Sequence, residues 1–172
     1  MTRGITNVGI FAALYIVSSV TLALLAGPLI RGYPSHFFRG LFISCASASS
    51  RMRWSGTLFG TVSGVIFLLT IPAPAPYLLV ASPVAGLIYD LVIASFGNYA
   101  QSARRTKSIM LANGASGTAE GFVAMAVLIF SGVISGTATL LMILVATAVS
   151  VNLVLSCAGG YGASLVIKRG LI

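Results

Sequence analysis

One carboxylate, Glu120, stands inside a segment that is long enough and apolar enough to cross a bilayer. The segment is residues 108–131, SIMLANGASGTAEGFVAMAVLIFS, with Glu120 near its middle. An ionisable side chain in hydrocarbon is costly, so such residues usually face the interior of a helix bundle or a wet cavity and serve as functional sites. We therefore interpret Glu120 as a candidate ligand or ion site, and a purely structural hydrogen bond between helices is the alternative.

The spacing around Glu120 predicts a helix with one polar and closely packed face. On a helix, residues three and four positions apart share a face. The residues that share this face with the acid are Asn113, Ser116, Gly117, Ala124 and Val127. Gly117 and Gly121 flank Glu120 and allow another helix or a ligand to approach the backbone closely.

The chain has few other residues for acid, base or metal chemistry: one histidine, His36, and one further acid, Asp90. A hydrolytic zinc site needs about three protein ligands, and a serine-histidine triad would depend on His36 alone. No Gly-x-x-x-x-Gly-Lys-Ser/Thr loop is present, so the chain is not an ATPase by itself. The sequence therefore predicts no catalytic residue, no metal site and no cofactor. Asp90 is expected to pair with Arg51, Arg53 or Arg104.

The remaining polar and aromatic residues favour a binding site. It would combine the first outer loop with the outward halves of later helices, through Arg31, Tyr33, His36, Phe38, Tyr77, Glu120 and Asn152. The loop residues and Tyr77 offer a cation, phenol hydroxyls and aromatic faces, which suit a small polar ring compound. Arg31 and His36 favour an anionic group on the ligand, whereas Glu120 favours a cationic or amide-bearing ring. Taken singly, the arginine and the aromatic residues also fit an interfacial belt.

The elements that must position these residues are membrane-spanning helices. Of 172 residues, 58% are hydrophobic and only 7% are charged, against roughly 25% charged in soluble domains. At about 20 residues for each span, the length accommodates about six helices in a single all-α transmembrane domain, residues 1–172. The predicted spans cover about 8–26, 37–50, 55–71, 77–96, 108–131 and 137–167.

The distribution of basic residues predicts the orientation of the six spans. One side holds Arg3, Arg51, Arg53, Arg104, Arg105, Lys107, Lys168 and Arg169. The other side holds only Arg31 and Arg39, so the positive-inside rule places both termini in the cytoplasm. Arg39 is expected to reach the interface at the end of the short second span. Basic residues in short clusters between apolar spans act as topology signals, which argues against nucleic-acid binding.

Local signals predict how the spans are built and joined. Gly56, Gly60 and Gly64 form a stripe at four-residue steps, which is typical of close helix packing. Pro83 is expected to break the fourth span early. Residues 28–36, PLIRGYPSH, are expected to form an irregular outer loop because they contain two prolines and a glycine.

The first span carries a contact motif. Its sequence VGIFAALYIV contains Gly9-x-x-x-Ala13, a small-xxx-small pair that allows close helix association in lipid. Together with six spans in fewer than 200 residues, both termini inside and an outer loop able to act as a lid, this motif resembles the substrate-binding S component of energy-coupling factor (ECF) vitamin transporters. In that family the motif contacts the transmembrane T component, and alanine commonly stands where this chain has Gly9.

The resemblance implies a function and a set of partners. The protein would not be an enzyme: at the plasma membrane it would capture a vitamin or related micronutrient from outside. It would dock on a T component through Gly9, Ala12 and Ala13, and two cytosolic ATPases would drive inward release. The absence of a nucleotide-binding loop in the chain agrees with this division of labour.

Two other functions stay open from the sequence. A small ion-coupled carrier or channel, acting without ATPase partners, would use Glu120 or Asp90 as a proton site. It would form oligomers through the face made by Gly56, Gly60 and Gly64. A scaffold or assembly subunit would need Glu120 for the stability of its complex but not for ligand affinity.

Overall fold

The computed structural model describes residues 2–25, 33–70 and 76–172, and every regular element in these ranges is a helix. We number the helices in chain order. They are α1 Thr2–Leu25, α2 Tyr33–Ser50, α3 Ser55–Thr70, α4 Pro76–Ser95, α5 Tyr99–Ser102, α6 Thr106–Phe130 and α7 Ala138–Lys168. The predicted all-α class is thus confirmed for the described part of the chain.

The six long helices pack side by side in a closed ring. The order around the ring is α1, α2, α7, α6, α4 and α3, and α3 returns to α1. Helix α2 also touches α3 and α6 across the ring. Val8, Ile43, Phe59, Tyr89 and Ile93 are fully buried in the resulting core.

Glycines allow α3 and α4 to approach each other closely. A Cβ atom on Gly60 would lie 2.2 Å from the backbone oxygen of Ser82, and one on Gly64 would lie 2.7 Å from that of Leu78. Such distances are too short for any side chain, so the predicted packing role of the glycine stripe is confirmed. Because the stripe faces α4 of the same chain, it is not available as an oligomer contact.

Glycines also allow α7 to pack closely against α2 and α6. A Cβ on Gly159 would lie 2.0 Å from the backbone oxygen of Phe37, and one on Gly40 would lie 2.4 Å from that of Ser156. On α6, a Cβ on Gly117 would lie 2.6 Å from the backbone oxygen of Asn152. These contacts hold α2 and α6 on either side of α7, which places two facing helix surfaces around the ring interior.

One end of the ring collects the basic residues. The start of α1 meets the end of α2 where Asn7 donates a hydrogen bond to the Ser49 carbonyl (3.4 Å). The link between α4 and α6 meets the same end, since Arg104 donates to the Ala48 carbonyl (3.3 Å). Ile167, near the end of α7, packs against Ala48 as well. We call this the basic end of the bundle.

The helices have the length and character expected of a helical membrane protein. Four segments are long and apolar enough to cross a membrane, namely Thr2–Leu22, Tyr77–Ser95, Thr106–Phe130 and Ala138–Lys168. The apolar helix Ser55–Leu69 is shorter. Many large apolar side chains on the outer faces are exposed, as expected for surfaces that contact lipid.

Two local predictions were wrong. The outer loop was expected to extend to His36, yet α2 already begins at Tyr33. Pro34 then lies in the first helical turn, where its missing N–H would have no partner in the helix anyway. Pro83 does not break the fourth span: it lies inside α4, which continues from Pro76 to Ser95, because packing against neighbouring helices compensates for the lost hydrogen bond.

Candidate binding site

The centre of the candidate site is a buried ion pair between α2 and α6. Arg39 Nη1 donates a hydrogen bond to Glu120 Oε2 at 2.8 Å, and the two side chains are only 2% and 3% exposed. Glu120 lies 14 positions after Thr106, about 21 Å along the helix from its start. The carboxylate therefore sits deep in the bundle, with a guanidinium as its neutralising partner.

Arg39 also connects these two helices to α4. Its Nη2 donates to the hydroxyl of Ser116, which lies one turn before Glu120. The Ser116 hydroxyl in turn donates to the backbone oxygen of Ala85 on α4 at 2.7 Å. One arginine thus joins three helices of the ring through a continuous chain of hydrogen bonds.

His36 is the third member of the charged cluster. It precedes Arg39 by three residues, so both side chains lie on the same face of α2. His36 Nδ1 lies 3.3 Å from the same carboxylate oxygen, Glu120 Oε2. At 22% exposure, His36 is the most accessible member of the cluster and marks the side from which a ligand would approach.

One buried donor of the cluster has no partner among the described residues. This donor is Arg39 Nε. Arg39 and His36 both contact Oε2 of Glu120 and not Oε1. Buried polar groups are paired in the great majority of cases. Arg39 Nε is therefore a donor that a further molecule could satisfy.

Two tyrosines complete the surroundings of the acid. Tyr15 of α1 and Tyr77 of α4 both lie close enough to interact electrostatically with the Glu120 carboxylate. Tyr15 is buried against Phe59 and Phe67, at ring-centroid distances of 5.5 and 5.3 Å, whereas Tyr77 is partly exposed. Phenol groups from two further helices therefore lie in the electrostatic surroundings of the acid.

The structure thus brings together three of the seven predicted site residues, which are His36, Tyr77 and Glu120. Phe38 lies elsewhere: it stacks on Phe42 with ring centroids 6.0 Å apart and packs against the core near α1. Asn152 is buried on α7, and a Cβ on Gly121 would lie 3.2 Å from its amide nitrogen.

The two remaining predicted residues lie at the start of α2. Tyr33 is the first residue of that helix, which places its backbone one turn before His36. Arg31 lies outside the described residues.

Sequence reasoning missed Arg39, Tyr15 and Ser116. Arg39 was predicted to reach the interface, but it turns into the ring because the buried carboxylate requires a cation. The spacing was a usable signal, since Arg39 shares a helix face with His36 and is the cation nearest the middle of the second span. Ser116 and Glu120 were already predicted to share a face, but the partner of Ser116 depends on how the helices pack.

The second acid, Asp90, has a different environment at the basic end. Its carboxylate accepts hydrogen bonds from the backbone N–H groups of Gly56 (2.9 Å) and Thr57 (2.7 Å) and from the Thr57 hydroxyl (2.7 Å). These groups belong to the first turn of α3, which otherwise has no acceptor for its N–H groups. Asp90 therefore caps α3 from a neighbouring helix.

Tyr99 completes the environment of Asp90. Its hydroxyl donates to Asp90 Oδ1 and lies 3.0 Å from the Ser55 hydroxyl. Burial, followed by the negative charge of Asp90, raises the pKa of Tyr99, so the hydroxyl keeps its proton for this contact.

The predicted ion pair of Asp90 with an arginine was wrong. Arg104 donates to a backbone carbonyl, and the Arg53 guanidinium lies 5.5 Å from the centre of the Trp54 ring. Arg51 is exposed at the turn between α2 and α3. The first turn of α3 supplies enough donors to stabilise the carboxylate without a cation.

The predicted partner-contact residues divide between two sides of α1. Gly9 and Ala13 are exposed, and a Cβ on Gly9 would meet no atom within 4 Å. Ala12 is fully buried in the core. The outward surface of α1 that another helix could contact is therefore formed by Gly9 and Ala13, with Ile10 beside them.

Metal and redox chemistry receive no support from the described residues. They contain no group of three or more His, Cys, Asp or Glu side chains arranged to hold a metal ion. Cys45 and Cys157 are both free thiols.

Comparison with protein families, curated proteins and solved structures finds no match to this chain.

Proposed function

We propose that the protein is the membrane-embedded substrate-binding subunit of an ECF-type importer and captures a vitamin or related small micronutrient from outside. The observation that carries the proposal is the buried cluster of Arg39, Glu120 and His36 inside a ring of six helices. Ionisable groups at such depth are typical of substrate or ion sites, and this cluster keeps one buried donor, Arg39 Nε, without a partner among the described residues. Tyr15 and Tyr77 add aromatic surface beside it.

In this proposal all six long helices cross the plasma membrane, with both termini in the cytoplasm. The charge asymmetry supports the orientation. Because Arg39 lies in the buried ion pair, it no longer counts as a loop charge, and Arg31 is the single basic residue left on the outer side, against eight at the basic end.

The proposed partners are a transmembrane T component and two cytosolic ATPases. The outward face of α1 at Gly9 and Ala13 suits a close helix contact in lipid, where small residues let backbones approach. Gly9→Leu would fill this face without touching the chain's own core, since no atom lies near the new side chain. We expect it to abolish capture by the T component and leave ligand binding intact, with the neighbouring exposed Ile10→Leu as control.

The decisive experiment is to identify, by mass spectrometry, the small molecule that copurifies with the protein, and to titrate it back. Glu120→Ala is expected to weaken its binding at least tenfold, a loss of about 1.4 kcal/mol. Arg53→Gln, an exposed basic-end variant, serves as the control and should bind as the wild type does. Unchanged affinity in Glu120→Ala would remove the cluster from the site.

A small ion-coupled carrier is the second candidate. The contact between His36 and Glu120 favours it, because a histidine beside a buried carboxylate can exchange a proton. This function requires uptake in proteoliposomes that contain the purified chain alone, without ATP. The receptor function requires the T component and ATP for accumulation, so one uptake assay with and without these partners separates the two.

A further inference from the structure

We infer that Arg39 is a specificity-determining residue: by neutralising Glu120 in the free protein, it makes the site select an uncharged ligand that both donates and accepts hydrogen bonds. This inference rests on the proposed function, because it names the class of substrate that the same site takes. Amides, lactams and ureides are chemical groups of this kind.

The ion pair balances the charge inside the ring. Arg39 and Glu120 are 2% and 3% exposed and lie in direct contact, so their charges cancel inside the ring. A ligand that brought a net charge into this interior would need a new counter-charge, because an unpaired buried charge is strongly unfavourable. Glu120 alone would suit a cation, but the paired carboxylate no longer offers a free negative charge.

The other groups that interact with the acid carry no fixed charge. Tyr15 on α1, Tyr77 on α4 and Ser116 on α6 are uncharged hydroxyl groups, and His36 on α2 is the remaining titratable partner. Among the described neighbours, therefore, no fixed charge is left to balance a charged ligand. The hydroxyl groups can each donate or accept hydrogen bonds, which suits polar but neutral groups.

Arg39 Nε has no partner among the described residues, and the contacts of Arg39 and His36 with Glu120 both use Oε2. Glu120 Oε1 can accept a hydrogen bond, and Arg39 Nε can donate one. A carboxylate ligand would satisfy the donor but repel the acceptor, and an ammonium ligand would do the reverse. A neutral group with N–H beside C=O satisfies both, and a buried site discriminates strongly against ligands that leave such groups unpaired.

Three probes that share one ring test this selectivity: benzamide is neutral, benzoate is an anion and benzylammonium is a cation at pH 7. Their apparent affinities for the full-length protein in detergent would be measured from the concentration dependence of its thermal unfolding midpoint. We expect wild type to bind benzamide at least tenfold more tightly than either ion. A preference for either ion, or no binding of any probe, would overturn the inference.

Variants that alter the charge of the cluster make the test sharper, because each should change which of the three probes binds most tightly. Glu120→Gln leaves the Arg39 cation without its carboxylate, so benzoate should become the best ligand. Arg39→Gln leaves the carboxylate unpaired, so benzylammonium should become the best ligand. The double variant restores neutrality and should again prefer benzamide. Arg53→Gln should keep the wild-type order and controls for partition of the probes into detergent.

The variants also separate a selectivity role from a purely structural ion pair. If the pair only holds the helices together, Glu120→Gln would lower the unfolding midpoint but leave the order of the three probes unchanged. That outcome overturns the inference, and it can be read from Glu120→Gln alone if Arg39→Gln does not fold.

Failure of this inference is distinguishable from failure of the proposed function. Mass spectrometry identifies the bound molecule, and the loss of affinity in Glu120→Ala shows which part of it the cluster recognises. If that part is charged, the selectivity inference is wrong while the receptor function stands. If the purified chain carries no organic molecule and accumulates solute alone, the proposed function itself is wrong.

Discussion

The two acids of this chain are both buried, yet the bundle uses them in different ways. Asp90, 1% exposed, is surrounded by four donors from α3 and Tyr99, and each carboxylate oxygen has at least one partner. Glu120, 3% exposed, is held by two side chains of α2, and both of these contacts use its Oε2 atom. Burial alone therefore does not distinguish a structural acid from a site.

The source of the donors is what separates the two environments. Backbone N–H groups at the start of α3 are fixed by the helix itself, so Asp90 stabilises a geometry that already exists. The partners of Glu120 are a guanidinium and an imidazole on another helix, and the proposed binding of a ligand would require these side chains to change partner. We expect loss of Asp90 to affect stability alone, and changes at Glu120 to affect binding as well.

The largest expected loss of stability follows from removing the counter-charge of Glu120. Arg39→Leu leaves a buried carboxylate without its counter-charge, and breaking such a pair typically costs about 3–5 kcal/mol. We expect a low yield of folded protein and a strongly reduced thermal unfolding midpoint in detergent. Arg39→Leu combined with Glu120→Leu should regain most of the loss, and a double variant as unstable as the single one would contradict this account.

An intermediate effect is expected from Asp90→Ala. It removes the acceptor for two N–H groups at the start of α3, and loss of a helix cap costs up to about 2 kcal/mol. The unfolding midpoint should fall, while affinity for the copurified molecule should equal that of wild type. Asp90→Asn, which retains one acceptor oxygen, should lose less. A change in affinity after Asp90→Ala would place this acid in the binding site.

The smallest effect is expected from Tyr99→Phe. The variant keeps the ring and removes one of the hydroxyl donors that reach Asp90, a net loss of about 1 kcal/mol. The midpoint should fall by less than in Asp90→Ala, because the α3 backbone donors still hold the carboxylate. If Tyr99→Phe lowered the midpoint as much as Asp90→Ala, the main role of Asp90 would be to hold the short helix α5 in place and not to cap α3.

The helical class and the location of the acid were predictable from composition and spacing. The face shared by Ser116 and Glu120 and the glycine stripe on α3 both follow from helical periodicity, which depends only on residues near in sequence. His36 and Tyr77 were predicted from their side-chain chemistry, and the structure places both near Glu120.

The partners of the two acids were not predictable in the same way. Arg39 is 81 positions from Glu120 and Gly56 is 34 from Asp90, so each pairing depends on the order of helices around the ring. In a count of loop charges, Arg39 is one more basic residue at the end of a short span. Such a count does not distinguish an arginine that reaches the interface from one that points into the bundle.

The unequal lengths of α7 and α3 affect how the bundle sits in a bilayer. Helix α7 has 31 residues and is about 46 Å long, whereas α3 has 16 residues and is about 24 Å long. These two helices lie opposite each other in the ring, so in the proposed arrangement of six spans no membrane of uniform thickness would match both. We therefore expect the tilt of the whole bundle to respond to the acyl-chain length of the surrounding lipid.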